Sequence, residues 1–477
     1  MSWETVIGLE VHVQLRTRTK MFCACRTSFG DPPNTNVCPV CLGLPGALPV
    51  PNAEAVRLGA TAALALGCTI HHTSVFARKN YFYPDLPKGY QISQFDQPLA
   101  TGGRVTFESP DRGRVQAGIT RLHLEEDAGK LVHDRFPGKT AVDLNRAGVP
   151  LVEIVSEPDL RSPAEARAYL TTLRQILIYA GASECSMEQG SLRVDANISI
   201  RRPGESRLGT KTEVKNLNSF ANVERALEAE RARQVAVLEG GGRVAQVTLL
   251  FNAGTGQVKE LRSKEESHDY RYFPDPDLPP LVLDDAWISV RRDALPELPE
   301  ARRSRLELAL GIPAYDARVL TSEVPLADYF EAVVAAGVEP KTAANWVMSD
   351  VMTTFNETGG FPVPADRLAA LVGLVRAGTV SHQAAKRVYT EMAQSPDGDP
   401  AAVAERLGLV QVSDEGALGT WVDEVLAASP AEVARYRAGE TKLMGFFVGQ
   451  VMKRSKGKAD PKGVQPVLVR RLGGSGE

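Results

Sequence analysis

The sequence predicts an α+β fold: an antiparallel sheet with one open face, backed by long helices and followed by helical regions. Three observations predict it. Several segments alternate between apolar and polar residues, as strands with one buried face do. Helical patterns with capping residues lie between these segments. Beyond about residue 293 the chain turns to Ala, Leu, Arg and Glu at helical spacing, so we expect domains at 1–292, 293–405 and 406–477.

The composition is that of an ordinary soluble protein. The chain has 477 residues, of which 43% are hydrophobic and 24% charged, and its formal net charge is −3. No run approaches the roughly 18 uninterrupted apolar residues that span a bilayer, so we expect a cytoplasmic protein rather than a membrane protein. The net charge argues against a protein that coats nucleic acid but allows a local basic patch.

The first strand carries the first candidate site residues. In residues 6–15, alternation places the apolar side chains on one face and Glu10, His12 and Gln14 on the other. A glutamate and a histidine on an open face could bind a metal or act in catalysis. An ordinary half-solvated strand is the alternative.

Four cysteines follow this strand. Cys23 and Cys25 are separated by twelve residues from Cys38 and Cys41. Two short ligand pairs at this spacing can close a tetrahedron around zinc, and four cysteines leave no open coordination position. We therefore expect a structural Zn²⁺ site in the loop 23–41. Disulfides and free thiols are the alternatives, and the first residues lack the pattern of an export signal that would favour disulfides.

An Ala-rich helix over residues 52–66 leads to a segment with two notable lysines. Residues 78–96 mix aromatic residues, prolines, Lys79 and Lys88 without a clean period, so we expect a loop. The two lysines could donate to a phosphate or a carboxylate. An irregular surface connection is the alternative.

Residues 119–130 begin as a strand and end in three consecutive acidic residues. Carboxylates at a strand end suit a metal, and a solvated charge run is the alternative. Alternation points Glu125 and Glu126 to opposite faces, so only one should line the open side. We expect that one to be Glu126, since Glu125 shares its face with Arg121 and His123, which could pair with it.

Two later strands extend the polar face. Glu153 lies among apolar neighbours, where a carboxylate needs a cation or a metal as partner. The strand over residues 190–200 alternates again, with Arg193, Asp195 and Asn197 on its polar side.

Two helices are expected to back this sheet. One opens with the capping box of Ser162 and Glu165, with proline at its first position. The other runs over about residues 219–239 and ends at three consecutive glycines.

The last segment is locally basic. Residues 441–477 contain eight basic and two acidic residues, a net charge of +6 within an overall acidic protein. This asymmetry indicates a salt-dependent contact with nucleic acid, and an ordinary solvated tail is the alternative. The candidate contact residues are Lys442, Lys453, Arg454, Lys456 and Lys458.

Familiar nucleotide-binding and hydrolase motifs are absent from the sequence. Residues 136–140 are similar to the end of a phosphate-binding loop, but His133 stands where that motif needs glycine. We find no Gly-x-Gly-x-x-Gly, His-Glu-x-x-His or Gly-x-Ser-x-Gly motif. If ATP is used, metal, lysines and strand side chains should hold its phosphates.

The chain resembles the B subunits of the glutamine-dependent aspartyl/glutamyl-tRNA amidotransferases along essentially its whole length. The shared segments include Ile-Gly-Leu-Glu-Val-His at 7–12, Lys-Asn-Tyr-Phe-Tyr-Pro-Asp at 79–85, Leu-Glu-Glu-Asp-Ala-Gly-Lys at 124–130, Gly-Ser-Leu-Arg-Val-Asp-Ala-Asn at 190–197 and Gly-Phe-Phe-Val-Gly-Gln-Val-Met-Lys at 445–453. The resemblance implies a cradle-shaped catalytic domain, an all-helical domain and a small tail domain that binds tRNA.

The resemblance also implies an activity on mischarged tRNA. ATP would phosphorylate the side-chain carboxylate of Glu on tRNA(Gln) or Asp on tRNA(Asn), and ammonia would displace the phosphate. Phosphoryl transfer depends on positioning and charge neutralisation, which Mg²⁺ held by Glu10, His12, Glu126 and Glu153 would supply. Histidine is an unusual Mg²⁺ ligand, so it would bind through water, or the site would accept Mn²⁺.

The resemblance further implies partners. The chain shows no amidase serine arrangement, so ammonia would come from glutamine through a separate amidase partner, the A subunit, with a small C subunit. An ammonia passage would end at the cradle. Its candidate lining or further catalytic residues are Lys79, Lys88, Glu125, Arg193, Asp195 and Asn197. The cysteines match those family members that keep zinc.

Two alternatives remain from the sequence. One is a non-catalytic, zinc-containing scaffold that binds tRNA, and the other is a free-standing ligase that uses ammonia directly. Convergence of Glu10, His12 and Glu153 would favour an enzyme, since a scaffold does not need it. The sequence does not distinguish tRNA(Gln) from tRNA(Asn) as substrate.

Overall fold

A computed structural model describes residues 2–263, 270–395, 398–411, 414–455 and 457–473. The chain divides into two compact units, Met1–Pro299 and Glu300–Glu477. Within the described ranges, every helix is too short or too polar to traverse a lipid bilayer.

The first unit contains the strands and the first four helices. The strands are β1 (Glu4–Gln14), β2 (Thr69–Ile70), β3 (Thr73–Ser74), β4 (Ala77–Asn80), β5 (Tyr90–Ser93), β6 (Ala100–Thr101), β7 (Arg104–Ser109), β8 (Gly113–Glu126), β9 (Lys130–Phe136), β10 (Lys139–Asp143), β11 (Pro150–Ser156), β12 (Leu192–Arg201), β13 (Thr212–Leu217), β14 (Val247–Asn252), β15 (Gln257–Ser263), β16 (Phe273–Pro274) and β17 (Leu281–Val282). The helices are α1 (Ala53–Ala65), α2 (Pro163–Tyr179), α3 (Phe220–Glu239) and α4 (Asp285–Asp293).

Ten of the described strands form one sheet, in the order β15-β14-β13-β12-β1-β11-β8-β6-β2 with β7 beside β8. Its pairs are antiparallel except β13 with β14, which are parallel. A small second sheet is formed by β16, β4 and β5. The α+β class with a predominantly antiparallel sheet is therefore confirmed.

One face of the large sheet is buried under helices. The odd-numbered side chains of β1, such as Ile7 and Val11, join one apolar core with Leu173 of α2 and Val223 of α3. Alternation sends the even-numbered side chains of β1 to the opposite face. The sheet thus packs on one side and presents polar groups on the other.

Capping residues set where these helices begin. The side chain of Asn52 accepts hydrogen bonds from the first backbone N–H groups of α1. Ser162 accepts from Glu165 N at the start of α2, and the Glu165 carboxylate accepts from Arg161 N. The helix starts predicted from these residues are confirmed.

The segment 78–96 was expected to be a loop, and that expectation is wrong at both ends. The strands β4 and β5 occupy much of it and pair with each other. β4 also pairs with β16, which lies far along the chain. These strands are too short to show a period in the sequence. Their stability depends on pairing with a distant strand, which a local pattern does not reveal.

The second unit is helical. Its helices are α5 (Pro299–Leu310), α6 (Ala314–Leu320), α7 (Val324–Ala335), α8 (Pro340–Trp346), α9 (Met352–Thr358), α10 (Ala365–Arg376), α11 (His382–Gln394), α12 (Pro400–Arg406), α13 (Glu415–Ala428), α14 (Pro430–Arg437), α15 (Met444–Arg454) and α16 (Pro461–Gly473). A π-helical turn, Val347–Val351, joins α8 to α9, and a 3₁₀ turn, Thr441–Leu443, precedes α15. Two separate apolar cores lie in this unit, over residues 306–404 and 418–472.

Candidate functional site

Strand pairing brings polar side chains together on the open face of the large sheet. His12 of β1 lies opposite Glu153 of β11, and Glu153 lies opposite His123 of β8. Directly opposed residues on antiparallel strands carry their side chains on the same face. Glu125 lies two residues beyond His123 and shares that face. The register therefore gathers two histidines and two carboxylates.

These four groups lie within contact distance of one another. His12 Nε2 lies 3.3 Å from Glu153 Oε2 and 3.7 Å from Glu125 Oε1. His123 Nε2 lies 3.4 Å from Glu125 Oε2 and 3.6 Å from Glu153 Oε2. Ligand atoms of His12, Glu125 and Glu153 all lie within 4.8 Å of one another, so these three residues, the His–Glu–Glu cluster, could hold a metal ion.

Glu125, and not Glu126, belongs to this cluster, so the placement expected for Glu126 is wrong. Alternation did separate the two residues, but the face that Glu125 shares with His123 is the open one. Glu126 points to the other side of the strand, where its carboxylate pairs with Lys88 and accepts a hydrogen bond of 3.0 Å from Ile92 N. The partner strand, and not the neighbours along β8, decides which side is open.

The electrostatics of the cluster favour ionised carboxylates. Burial alone would raise the pKa of Glu153, but the His123 charge and the His12 hydrogen bond lower it. Burial likewise opposes ionisation of Glu125, and its hydrogen bond with His123 lowers the pKa. Burial opposes the charge on His12, yet its hydrogen bond to Glu153 raises the pKa. A metal cation could therefore take the place of the proton that His12 shares with Glu153.

A cavity of about 430 Å³ opens over the cluster. The pairing of β1 with β12 places Arg193 opposite His12 and Asp195 opposite Glu10. The cavity is lined by Glu10, His12, Lys79, Tyr81, Gln91, Glu125, Asp127, Ala128, Glu153, Arg193, Asp195, Glu213, Lys215 and Tyr270. Three of the additional candidates, Lys79, Arg193 and Asp195, are thus brought to the same space as the cluster.

Glu10 lies beside the cluster without being one of its three ligand-forming residues. Its carboxylate accepts a hydrogen bond of 3.1 Å from Asn197 Nδ2. Burial, and then the nearby Glu153 and Asp195 charges, raise its pKa. Glu10 can therefore take up a proton more readily than an exposed glutamate.

Lys79 brings a positive charge from the small sheet to the cavity. Its ammonium group lies 4.9 Å from the centre of the Tyr270 ring. Burial opposes its charge, but the Glu125 and Glu153 carboxylates raise its pKa. The lysine is therefore charged inside the cavity, where it can meet an anionic group.

Sequence reasoning missed several residues of this cavity as site residues. Asp127 accepts from Gln14 Nε2 at 2.8 Å and from Arg193 Nη2 at 2.9 Å, which fixes the guanidinium in the wall. Alternation from Glu125 could have indicated both Asp127 and His123. Tyr270 reaches the site from a distant part of the chain, where its carbonyl oxygen accepts a hydrogen bond of 3.0 Å from Asn80 N.

Two family models match this chain. Residues 5–289 match the family described as GatB/GatE catalytic domain, and residues 328–472 match the family described as GatB domain. The chain belongs to the amidotransferase B-subunit family. This membership confirms the expected family and the expected enzyme class, a carbon–nitrogen ligase. Family membership is also evident in individual relatives.

Three such relatives are named as the B subunit of an aspartyl/glutamyl-tRNA(Asn/Gln) amidotransferase. The protein of Moorella thermoacetica is 56% identical over 99% of this chain and 100% of its own length. Those of Geobacter sulfurreducens and Chlorobium phaeobacteroides are 53% and 51% identical, each over 99% of this chain and 100% of its own length. The similarity therefore extends over both units.

In this B-family chain, the four cysteines of loop 23–41 form a compact group. Their sulfur atoms all lie within 4.8 Å of one another, so this cysteine cluster could hold a metal ion. Cys38 N donates to Cys41 Sγ at 3.1 Å. A hydrogen bond from Cys23 lowers the pKa of the Cys41 thiol to about 4, although burial opposes the change. All six cysteines of the chain are free thiols, so no disulfide competes for these sulfurs.

Lys88 lies away from the acidic cavity. With Cys23, Cys41 and Glu126 it lines a smaller space of about 120 Å³ beside the cysteine cluster. The structure therefore does not place Lys88 with Lys79, and its expected role in lining a passage to the acidic cavity finds no support there.

The basic residues of the tail lie around α15. Lys442 lies in the 3₁₀ turn, Lys453 and Arg454 end α15, and Lys458 follows it. Lys456 lies outside the described residues. Arg454 Nε pairs with Glu424 of α13 at 2.6 Å. Arg470 and Arg471 pair with Glu415 and Asp423 of the same helix. The acidic side of α13 thus neutralises part of the basic run.

Proposed function

We propose that this chain activates the side-chain carboxylate of Glu-tRNA(Gln) or Asp-tRNA(Asn) with ATP and amidates it with ammonia supplied by a partner. The observation that carries the proposal is the convergence of the His–Glu–Glu cluster with Lys79 and Arg193 in one cavity. A scaffold that only binds tRNA gains nothing from buried carboxylates beside buried cations, which are expensive to desolvate. The names of the relatives support the same substrate class.

The reaction has two balanced steps. The γ-phosphoryl group of ATP passes to a carboxylate oxygen, which gives an acyl phosphate and ADP. Ammonia then attacks the acyl carbon, phosphate leaves, and the amide nitrogen gives up a proton. The first step is needed because a free carboxylate lacks a leaving group that ammonia can displace.

The residues of the cavity suit these steps. A divalent cation held by His12, Glu125 and Glu153 would neutralise phosphate charge, and the histidine ligand suits Mn²⁺ as well as Mg²⁺. Lys79 and Arg193 can donate to phosphate or carboxylate oxygens. Glu10 would accept the proton that the amide nitrogen loses, since its raised pKa makes it a better base than an exposed glutamate.

The remaining assignments follow from the family and the cysteine cluster. We infer that an amidase partner, the A subunit, supplies ammonia from glutamine and that the assembly includes a small C subunit. Zn²⁺ in the cysteine cluster would be structural, because four thiolates close its coordination sphere. The basic residues Lys442, Lys453 and Lys458 would contact tRNA phosphates in the tail.

The test compares wild type with His12→Ala and Glu153→Ala, each in complex with the A and C subunits. Each complex receives Glu-tRNA(Gln) or Asp-tRNA(Asn), ATP, Mg²⁺ and glutamine, and ATP cleavage and amidated tRNA are measured. We expect both variants to lose tRNA-dependent ATP cleavage while still binding tRNA. His72→Ala is the control, because this histidine is 59% exposed and lies outside the cavity.

One result would contradict the proposed activation chemistry, and another would contradict the need for a partner. Full activity of both variants would place phosphorylation elsewhere and favour the scaffold alternative. Amidation by the isolated chain with ammonium, at the rate of the complex with glutamine, would favour the free-standing ligase.

A further inference from the structure

Lys20 carries an ammonium group into the interior of the first unit. Its side chain is 0% exposed. Nζ donates to the backbone carbonyl oxygens of Asn36 at 2.6 Å and of Leu144 at 3.3 Å, and to Cys41 Sγ at 3.7 Å. An ammonium group has three donors, so this set uses all of them.

The surroundings of Lys20 require a negative charge, because a buried ammonium group is costly without one. Two of its three acceptors are neutral carbonyl groups. Glu126 lies nearby but pairs with Lys88, and within the described part of the chain no carboxylate comes within ion-pair distance of Lys20. The group in direct contact with Lys20 that can carry a negative charge is the Cys41 sulfur of the cysteine cluster.

A closed zinc–tetracysteine centre supplies that charge. Four thiolates and one divalent cation leave an excess of negative charge on the sulfurs. Cys41 is the buried member of the cluster and the one that Lys20 contacts. The charge of the lysine and the charge of such a centre therefore match in sign and place.

The backbone at Gly148 lies against one side of this contact. A Cβ atom added at Gly148 would lie 3.4 Å from Lys20 Cδ and 3.7 Å from Cys41 Cβ. Gly148 also has a positive φ of 86°, which other residues rarely adopt. The lysine and the cysteine thus meet beside this backbone turn, at the wall of the space of about 120 Å³ that both residues line.

We propose that Lys20 is a positioning residue of the cysteine cluster, whose ammonium group balances the zinc–thiolate charge and ties Cys41 to the backbone at Asn36 and Leu144. This inference rests on the structural zinc site proposed above. It concerns metal retention and not the amidation chemistry, so it can fail while the proposed activity stands.

The first experiment measures zinc in the full complex of wild type and of Lys20→Met, which removes the charge and keeps a long apolar side chain. Metal analysis gives the zinc content, and competition with a chromogenic chelator gives the affinity. We expect equimolar zinc in wild type and an affinity about 10- to 100-fold lower in Lys20→Met, the range found when groups that support metal ligands are removed. Lys341→Met is the control, because that lysine pairs with Asp316 in the second unit.

A second experiment tests the charge balance directly. All four cysteines of the cluster are replaced by serine, and Lys20→Met is made in both backgrounds. With the cysteines present it should lower the thermal unfolding midpoint. In the serine background it should leave the midpoint unchanged or raise it, because Lys20 there has lost its counter-charge. If Lys20→Met does not fold with the cysteines present, its behaviour in the serine background alone tests the proposal.

The outcomes separate the two inferences. Wild-type zinc affinity in a folded Lys20→Met chain, or equal destabilisation by this change in both backgrounds, would overturn the role of Lys20 alone. A wild-type complex that neither contains nor binds zinc would overturn both this role and the proposed zinc site.

Discussion

Glu125 and Glu126 are neighbours in sequence whose carboxylates face opposite sides of β8. Glu125→Gln removes a charge from the His–Glu–Glu cluster, whereas Glu126→Gln removes the partner of the buried Lys88. Both substitutions keep the size of the side chain. The pair therefore separates loss of the proposed cation site from loss of local stability.

The expected magnitudes follow from the geometry. At 4.8 Å, the widest separation allowed within the cluster, two unit charges interact by about 3.5 kcal/mol at an effective dielectric constant of about 20. A divalent cation carries two charges, so this interaction energy is a lower bound for its attraction to the Glu125 carboxylate. Since about 1.4 kcal/mol is a factor of ten, Glu125→Gln should lower divalent-cation affinity by roughly 300-fold. Some loss of stability should accompany it. Although burial opposes ionisation, the favourable interactions of Glu125 with His123 and Lys79 outweigh its repulsion with Glu153 and lower its pKa.

Glu126→Gln should lose stability and keep the cation affinity. Removing one partner of a buried ion pair costs about 3 kcal/mol of stability, while the cluster keeps its charges. Titration with Mn²⁺ followed by calorimetry gives the affinity, and urea unfolding gives the stability. If Glu126→Gln loses cation affinity while Glu125→Gln keeps it, the assignment of the open face is refuted.

Three further predictions concern protons, zinc and tRNA. Although burial opposes the change, the hydrogen bond with Glu153 raises the pKa of His12. Mn²⁺ affinity should therefore increase as the pH rises through that pKa. An affinity that does not depend on pH would contradict this prediction. In the cation-free chain the same shift stabilises the fold below the unfolded pKa of about 6.5, and this contribution is lost above the folded pKa. Removing metal from the cysteine cluster by chelation should lower the thermal midpoint of the complex by several degrees, reversibly on adding Zn²⁺, and an unchanged midpoint would argue against structural zinc. Lys453→Glu should weaken tRNA binding several-fold more than Arg454→Glu at low salt, because Arg454 already pairs with Glu424. Equal losses of affinity in a filter-binding assay would contradict this prediction.

The parts of the fold that follow from local patterns could be predicted from the sequence. Alternation in residues 6–15 sufficed for β1, because burial of one face imposes a period of two. The caps Asn52 and Ser162 sufficed for the starts of α1 and α2, because a side-chain acceptor there satisfies free backbone N–H groups.

The choice between Glu125 and Glu126 could not be made in the same way. Alternation fixes that two neighbours differ in face, but which face is open depends on the strand that pairs with them. Here β11 places Glu153 beside His123, and the cluster follows. The tail shows the same limit, since a count of charges cannot reveal that Glu424, on another helix, already neutralises Arg454.

The cysteine cluster and the acidic cavity are joined by the residues between them. Asn36, inside loop 23–41, donates its backbone N–H to Asn145 Oδ1 at 2.8 Å. The next residue, Arg146, lies 3.8 Å from Asp127, whose carboxylate also holds Arg193 at 2.9 Å in the cavity wall. A metal that orders the loop therefore restricts the segment from which Arg146 reaches Asp127. Because Asp127 pairs with Arg193, we expect the proposed zinc site to influence where the Arg193 guanidinium lies in the cavity.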